Sequence, residues 1–206
     1  MAQETAYAGP GVQVAPDVLS LQTLIANVCM VGTPGGAGDW VLVDTGMGST
    51  VAQIREVAAG RFGPEHPPVA ILLTHGHFDH VGGVEELSRD WDVPVYAHSQ
   101  ELPYLTGELD YPPPDPTVGG GMISALSPLF PRNGIDLGDR IRPLPADGAV
   151  PGMPGWHWIA TPGHTPGHVS FFRPADRILI AGDAFITTNQ ESALAVLLKE
   201  HEINGP

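Results

Sequence analysis

Residues 71–83 read ILLTHGHFDHVGG, an apolar run that ends in three histidines and one aspartate within six positions. The whole chain has nine histidines, so a third of them stand in one turn. Clustered His and Asp side chains at the mouth of a strand are the pattern of metal or catalytic sites. In extended chain successive residues alternate sides, so His75 and His77 project the same way and can share one cation. The chain is then expected to turn into a helix over VEELSRDW, where Asp79 and His80 can serve a second cation beside the first. Gly76 is read as leaving room for the metal shell, and Gly82 and Gly83 as permitting a tight start to the helix. Neutral imidazole and carboxylate suit zinc, and also iron or manganese.

Four ligands do not close two coordination shells, so more are expected at the tips of other strands. His164 lies in ATPGHTPGH after the strand-like WHWI, and Asp183 lies in AGDAF after RILI. A carboxylate at a strand mouth can bridge two cations. Other apolar, β-branched runs are VQVAPDVLSLQ, LIANVCMVG, WVLVDTG, VPVYAH and HVSFFRP. Helical spacing in STVAQIREVAAGRF puts Val51, Ile54, Val57 and Ala58 on one stripe, with Ser49 or Thr50 available as N-cap. ESALAVLLKEHE begins a third helix. Asp44 ends a strand in a tight Asp-Thr-Gly turn; it is read as a turn cap, with support of a metal ligand as the alternative. His66 and His98 are read as surface histidines, and His157 as alternating with Trp156 and Trp158 across a strand.

Composition narrows the function. Acidic residues outnumber basic ones 23 to 9, for a formal charge of −14. Phosphate backbones and anionic lipid surfaces need clustered Lys and Arg, so nucleic acid and membrane are not expected partners. No apolar run reaches membrane-spanning length, and the N-terminus lacks a secretory pattern. The single cysteine, Cys29, is read as a small buried hydrophobe in a reducing, cytoplasmic setting. Residues 101–155, rich in Pro and Gly, are expected to form a lid or insert, with Met122, Leu126, Leu129 and Phe130 covering something apolar.

Taken together, VDTG at 43–46, THGHFDH at 74–80, TPGHTPGH at 161–168 and GD at 182–183 resemble the metallo-β-lactamase-fold hydrolase superfamily, in its glyoxalase II-like or lactonase-like branch. The resemblance implies an α/β fold: a single domain over 1–206 built as an αβ/βα four-layer sandwich of two mixed sheets flanked by helices, C-terminally short. It implies two divalent ions, Zn2+ before Mn2+ or Fe2+, with His75, His77 and His164 on the first. Asp79 and His80 would hold the second, Asp183 would bridge, and Asp79 and Asp183 would also be catalytic. His168 falls outside the ligand set, as packing or support. The superfamily supplies one more histidine after the bridging aspartate, whereas His201 reads as an ordinary helix residue. A missing C-terminal segment is therefore expected, with a weak or empty second site and a tendency to self-associate.

The activity so implied is hydrolysis of an ester, thioester, lactone or amide of a small-molecule substrate by a metal-bound hydroxide. Alternatives are a persulfide dioxygenase using one iron on His75, His164 and Asp183, and a truncated relative that only binds or is inactive. Asp183 disfavours a true β-lactamase, which resembles this chain but carries Cys or Ser there. His77 disfavours flavodiiron proteins, and Ile186 disfavours the known quorum-lactonases. Phe185, Trp156 or Trp158 and the lid are expected to form an apolar mouth for an uncharged or weakly polar substrate.

Overall fold

Seven strands follow one another across the first sheet in chain order: β1 (Val12–Ala15), β2 (Val18–Thr23), β3 (Ala26–Val31), β4 (Val41–Val43), β5 (Ala70–Leu72), β6 (Val95–Ala97) and β7 (Ile141–Pro143). The structure is a computed structural model, and it describes residues 10–35, 38–113 and 126–185. Strands β1 to β4 pair antiparallel and β4 to β7 pair parallel. The run VQVAPDVLSLQ is split into β1 and β2 at Pro16-Asp17, because proline has no N–H to give the ladder. A second sheet of β8 (His157–Ala160), β9 (Val169–Arg173) and β10 (Ile178–Ile180) has the order β10-β9-β8. Its described strands are all antiparallel rather than mixed, as short connections such as Pro174–Arg177 require.

The first sheet buries both faces. Leu19, Leu21, Val28, Met30, Leu42 and Ile71 point to a helical layer of α1 (Val51–Phe62), α2 (Phe78–Val81) and α3 (Val84–Trp91). Val18, Val31, Val41, Val43 and Leu72 point the other way, onto Val169, Phe171 and Ile180 of the second sheet. Two-sided burial is why β4 and β5 read as unbroken apolar runs. The α1 stripe is buried as its spacing requires. Thr50 stands at the N-cap position, yet its hydroxyl donates to the Met47 carbonyl at 2.7 Å instead of capping. Trp40 stacks on Phe62 at 4.3 Å and closes the far end of this core. Cys29 is half-buried against the second core, where burial first and Asp44 next push its thiol up to about 12.

Of the stretch 101–155, expected to be a lid or insert, the described residues 101–113 and 126–155 are in large part packed. This stretch carries α4 (Leu102–Leu105) and the edge strand β7, and Leu105, Tyr111, Leu137, Leu144, Val150 and Met153 are buried. Pro143 is tolerated because β7 lies at the sheet edge. Among the described residues of this stretch, the exposed large apolar side chains are Leu109 and, around a 3-10 turn at Ser127–Leu129, Leu126, Leu129 and Phe130. Met122, Ile186, the helix expected over ESALAVLLKEHE and His201 lie outside the described residues. Among the described residues, no helix is long and apolar enough to cross a membrane.

Candidate metal centre

Parallel pairing puts the carboxyl ends of β4, β5 and β6 on one edge of the first sheet, where α/β folds collect their functional groups. The loops that follow β8 and β10 reach the same edge from the second sheet. Asp44, directly after β4, is buried and has φ of 59°, a left-handed conformation that aspartate tolerates better than most residues. Its Oδ1 accepts the Thr74 N–H at 2.8 Å, and its Oδ2 accepts both the Thr74 hydroxyl and His80 Nδ1, each at 2.8 Å. The turn-cap reading of Asp44 is thereby replaced by the alternative: it anchors a metal-type histidine.

These bonds fix proton positions. With its hydrogen committed to Asp44, the Thr74 hydroxyl accepts from His75 Nδ1 at 3.0 Å. His75 Nε2 is left as a lone pair, buried and without a hydrogen-bond partner. The same logic gives His80 its Nδ1 proton and turns its Nε2 toward Asp183 Oδ1, 3.3 Å away.

Two groups of donor atoms result, each with all atoms within 4.8 Å of one another: His75, His77 and His164, and His75, His80 and Asp183. His77 Nδ1 lies 2.9 Å from His164 Nε2. Asp183 spans the groups, with Oδ1 near His80 and Oδ2 3.4 Å from His164 Nε2. Asp79 is close by, its Oδ2 3.9 Å from His80 Nε2, but belongs to neither group. Five of the six expected ligands thus converge, and Asp79 flanks them.

Charge in the site follows from burial. Desolvation, reinforced by the neighbouring histidines, lowers the pKa of His75, and takes His77 down to about 3. Burial also lowers His164 and His168. Burial alone would lower His80 too, but Asp44 and Asp183 outweigh it and hold His80 well above the usual histidine range. Burial would raise Asp183, yet His80 and the other rings bring it down to about 2. Burial raises Asp79.

His168, fully buried, is a support as expected. Its Nε2 accepts the Asp183 N–H at 3.0 Å, so its Nδ1–H donates to Thr161 Oγ1 at 2.8 Å. Gly182 makes the approach possible: its φ is 55°, and a Cβ there would stand 2.7 Å from His168 Nε2. Trp156 and Trp158 do not line the mouth. They face away from exposed His157, as alternation required, but into the second core, with Arg173 4.8 Å over Trp156 and the Trp158 indole donating to the Pro145 carbonyl. The aromatic groups near the cluster are Tyr111, 4.7 Å from the His77 ring, and Phe78, paired with Phe130 at 5.9 Å. Phe185 is exposed. Gly76 does not make space for a metal; a Cβ there would meet Tyr111 Oη at 2.5 Å.

A divalent ion fits these residues. The orphaned His75 Nε2 is a buried polar atom that lacks any other partner, and the surrounding nitrogen and carboxylate donors are those that zinc, iron and manganese accept.

The family model described as the metallo-beta-lactamase superfamily matches residues 22–199. The chain is 49% identical over 198 residues to the probable metallo-hydrolase YflN of Bacillus subtilis, covering 96% of this chain and 75% of that protein. It is 37% identical over 155 residues to the probable metallo-hydrolase YybB of the same organism, covering 74% and 60%. Among solved structures, a subclass B3 metallo-beta-lactamase from a soil metagenome library matches with a TM-score of 0.58 and 25% identity, over 79% of this chain and 56% of that one. The chain thus spans between about half and three quarters of the length of these proteins. It belongs to the metallo-beta-lactamase superfamily.

Proposed function

We propose that this member of the superfamily is a metal-dependent hydrolase of a small, uncharged or weakly polar ester, thioester, lactone or amide. The observation that carries the reading is the lone pair of His75 Nε2, buried and unmatched at the meeting point of two donor groups. In this reading His75, His77 and His164 hold one divalent ion, preferably zinc, while His80 holds a second and Asp183 lies between them. Bound there, such ions supply Lewis-acid polarisation of a carbonyl oxygen and bring water within reach of deprotonation near neutral pH.

The chain's own side chains supply orientation and proton handling. Asp44 keeps the His80 ring fixed with Nε2 facing the site, and Thr74 does the same for His75. Asp79, whose pKa is raised by burial, is placed to accept a proton at Oδ2 and release it to the departing group. Phe78, Phe130 and exposed Phe185 offer an apolar approach.

The test is a panel of uncharged esters, thioesters and lactones assayed with zinc, manganese and iron, beside a phosphoester and an anionic thioester. Hydrolysis of an uncharged carbonyl substrate that disappears in His77→Ala is the expected result. Oxygen consumption with one iron per chain would replace hydrolysis by sulfur oxygenation. Activity confined to highly anionic substrates would overturn the substrate class.

A further inference from the structure

Glu101 is fully buried, at the start of α4, and none of the motifs that point to the metal centre contains it. Its carboxylate is saturated with donors. Oε1 accepts the Thr165 hydroxyl at 2.8 Å and the Gly167 N–H at 2.7 Å. Oε2 accepts the Gly76 N–H at 3.0 Å and the Tyr111 hydroxyl. A carboxylate offers about four lone-pair sites, and all four are used. Among the described residues no Lys, Arg or His nitrogen pairs with it directly, so these donors are what compensates a charge in the interior. Its field nonetheless reaches the site, where it acts to raise the pKa of His164.

The partners are not a random set. Gly76 separates His75 from His77. Thr165 follows His164, and Gly167 precedes His168. Tyr111, held by Glu101, lies edge-on to the His77 ring and stacks on Tyr104 at 4.0 Å. One side chain therefore fastens the histidine loop of the first sheet to the histidine loop of the second, on the protein side of the His77–His164 contact.

We propose that Glu101, with Tyr111, is a positioning residue that sets the spacing of His77 and His164 for a cation on the His75, His77 and His164 group. The inference rests on the metal reading given above. Removing the carboxylate charge in Glu101→Gln leaves the backbone N–H of either Gly76 or Gly167 facing an amide N–H, so the two loops lose their shared acceptor while the side chain keeps its volume. Loss of such an outer partner lowers metal affinity by about 10- to 100-fold.

The experiment is competitive zinc titration against a chromophoric chelator, with cobalt(II) substitution to read coordination geometry from the visible absorption bands. It compares wild type, Glu101→Gln and the double variant Tyr111→Phe/Thr165→Val, which removes two donors but no buried charge partner. A remote core variant, Ile54→Val, controls for general loss of stability. Weaker zinc binding by about 10- to 100-fold in Glu101→Gln, with altered cobalt bands and unchanged bands in Ile54→Val, is the expected result. The double variant should shift in the same direction by a smaller factor, and it decides the matter if Glu101→Gln does not fold. Wild-type affinity and wild-type cobalt bands in a folded Glu101→Gln, or in the folded double variant if Glu101→Gln does not fold, overturn the inference alone. Failure of the wild type to bind zinc or cobalt overturns the metal reading and the inference with it.

Discussion

Asp44 Oδ2 lies 2.8 Å from His80 Nδ1, and both side chains are 3% exposed. The contact links the end of β4 to the helical turn α2 and decides which nitrogen of His80 faces the site. In Asp44→Asn, an amide N–H would face the His80 Nδ1 proton and the Thr74 hydroxyl. The imidazole is expected to move its proton to Nε2, the atom turned toward Asp183. Affinity at the His80 and Asp183 position should fall by about 10- to 100-fold, and stability by about 1–3 kcal/mol for the mismatched buried groups. Metal titration and urea unfolding of the chelated protein read the two effects separately.

Acid should destabilise the metal-free protein. His75, His77, His164 and His168 have folded pKa values lowered by burial, so the unfolded chain binds more protons as pH falls through about 6.5. Their stabilising contribution is present above that value and declines below it, down to about 3 for His77. His80 has the opposite sign: raised by Asp44 and Asp183, it contributes below about 6.5 and loses that contribution as pH rises through its folded pKa. Asp79, raised by burial, also opposes the loss, because its folded form takes up a proton before the unfolded chain does. Four groups against two predict a falling Tm for chelated protein between pH 7 and pH 5. A flat or rising Tm across that interval contradicts these shifts. Asp183, at about 2 when folded, adds a further loss only below its ordinary value of 3.8.

Gly182→Ala should damage fold and site together. The residue has φ of 55° and its new Cβ would meet His168 Nε2 at 2.7 Å and Thr74 Cβ at 2.9 Å. Left-handed backbone and overpacking together predict a loss of about 2 kcal/mol or more. Because the Asp183 N–H bond to His168 is disturbed, zinc binding should weaken as well. Denaturant unfolding with retained wild-type stability would show that the loop relaxes freely.

Phe62→Ala tests the opposite end of the molecule. Trp40 would lose its stacking partner, and a buried aromatic truncation costs about 3–5 kcal/mol. Metal affinity of the remaining folded protein should match wild type, since no α1 residue belongs to either donor group.

What the sequence made legible was what is local in the chain. His75, His77 and His80 sit within six residues, and extended chain followed by a helical turn was enough to aim them. His164 and Asp183 were found as strand-end residues after apolar runs, a weaker signal that the joint pattern strengthened. In sequence Asp44 looks like a turn cap, because its role depends on β4 lying beside β5, where its own N–H donates to the Leu72 carbonyl. Glu101 had no local signal at all: its partners stand 10, 25, 64 and 66 residues away. Tyr111 is hidden in a Pro-rich stretch that looks like a cover, and the sequence points Trp156 or Trp158 to the mouth because face alternation does not say which face meets the second sheet.

The most direct measurement is an anomalous difference map, at the zinc absorption edge, from a crystal of the zinc-loaded protein. A peak about 2.0–2.1 Å from the nearest nitrogens of His75, His77 and His164, with a second beside His80 and Asp183, is the predicted result. Zinc bound only elsewhere on the surface, with these nitrogens left empty at saturating metal, would contradict the assignment of the centre.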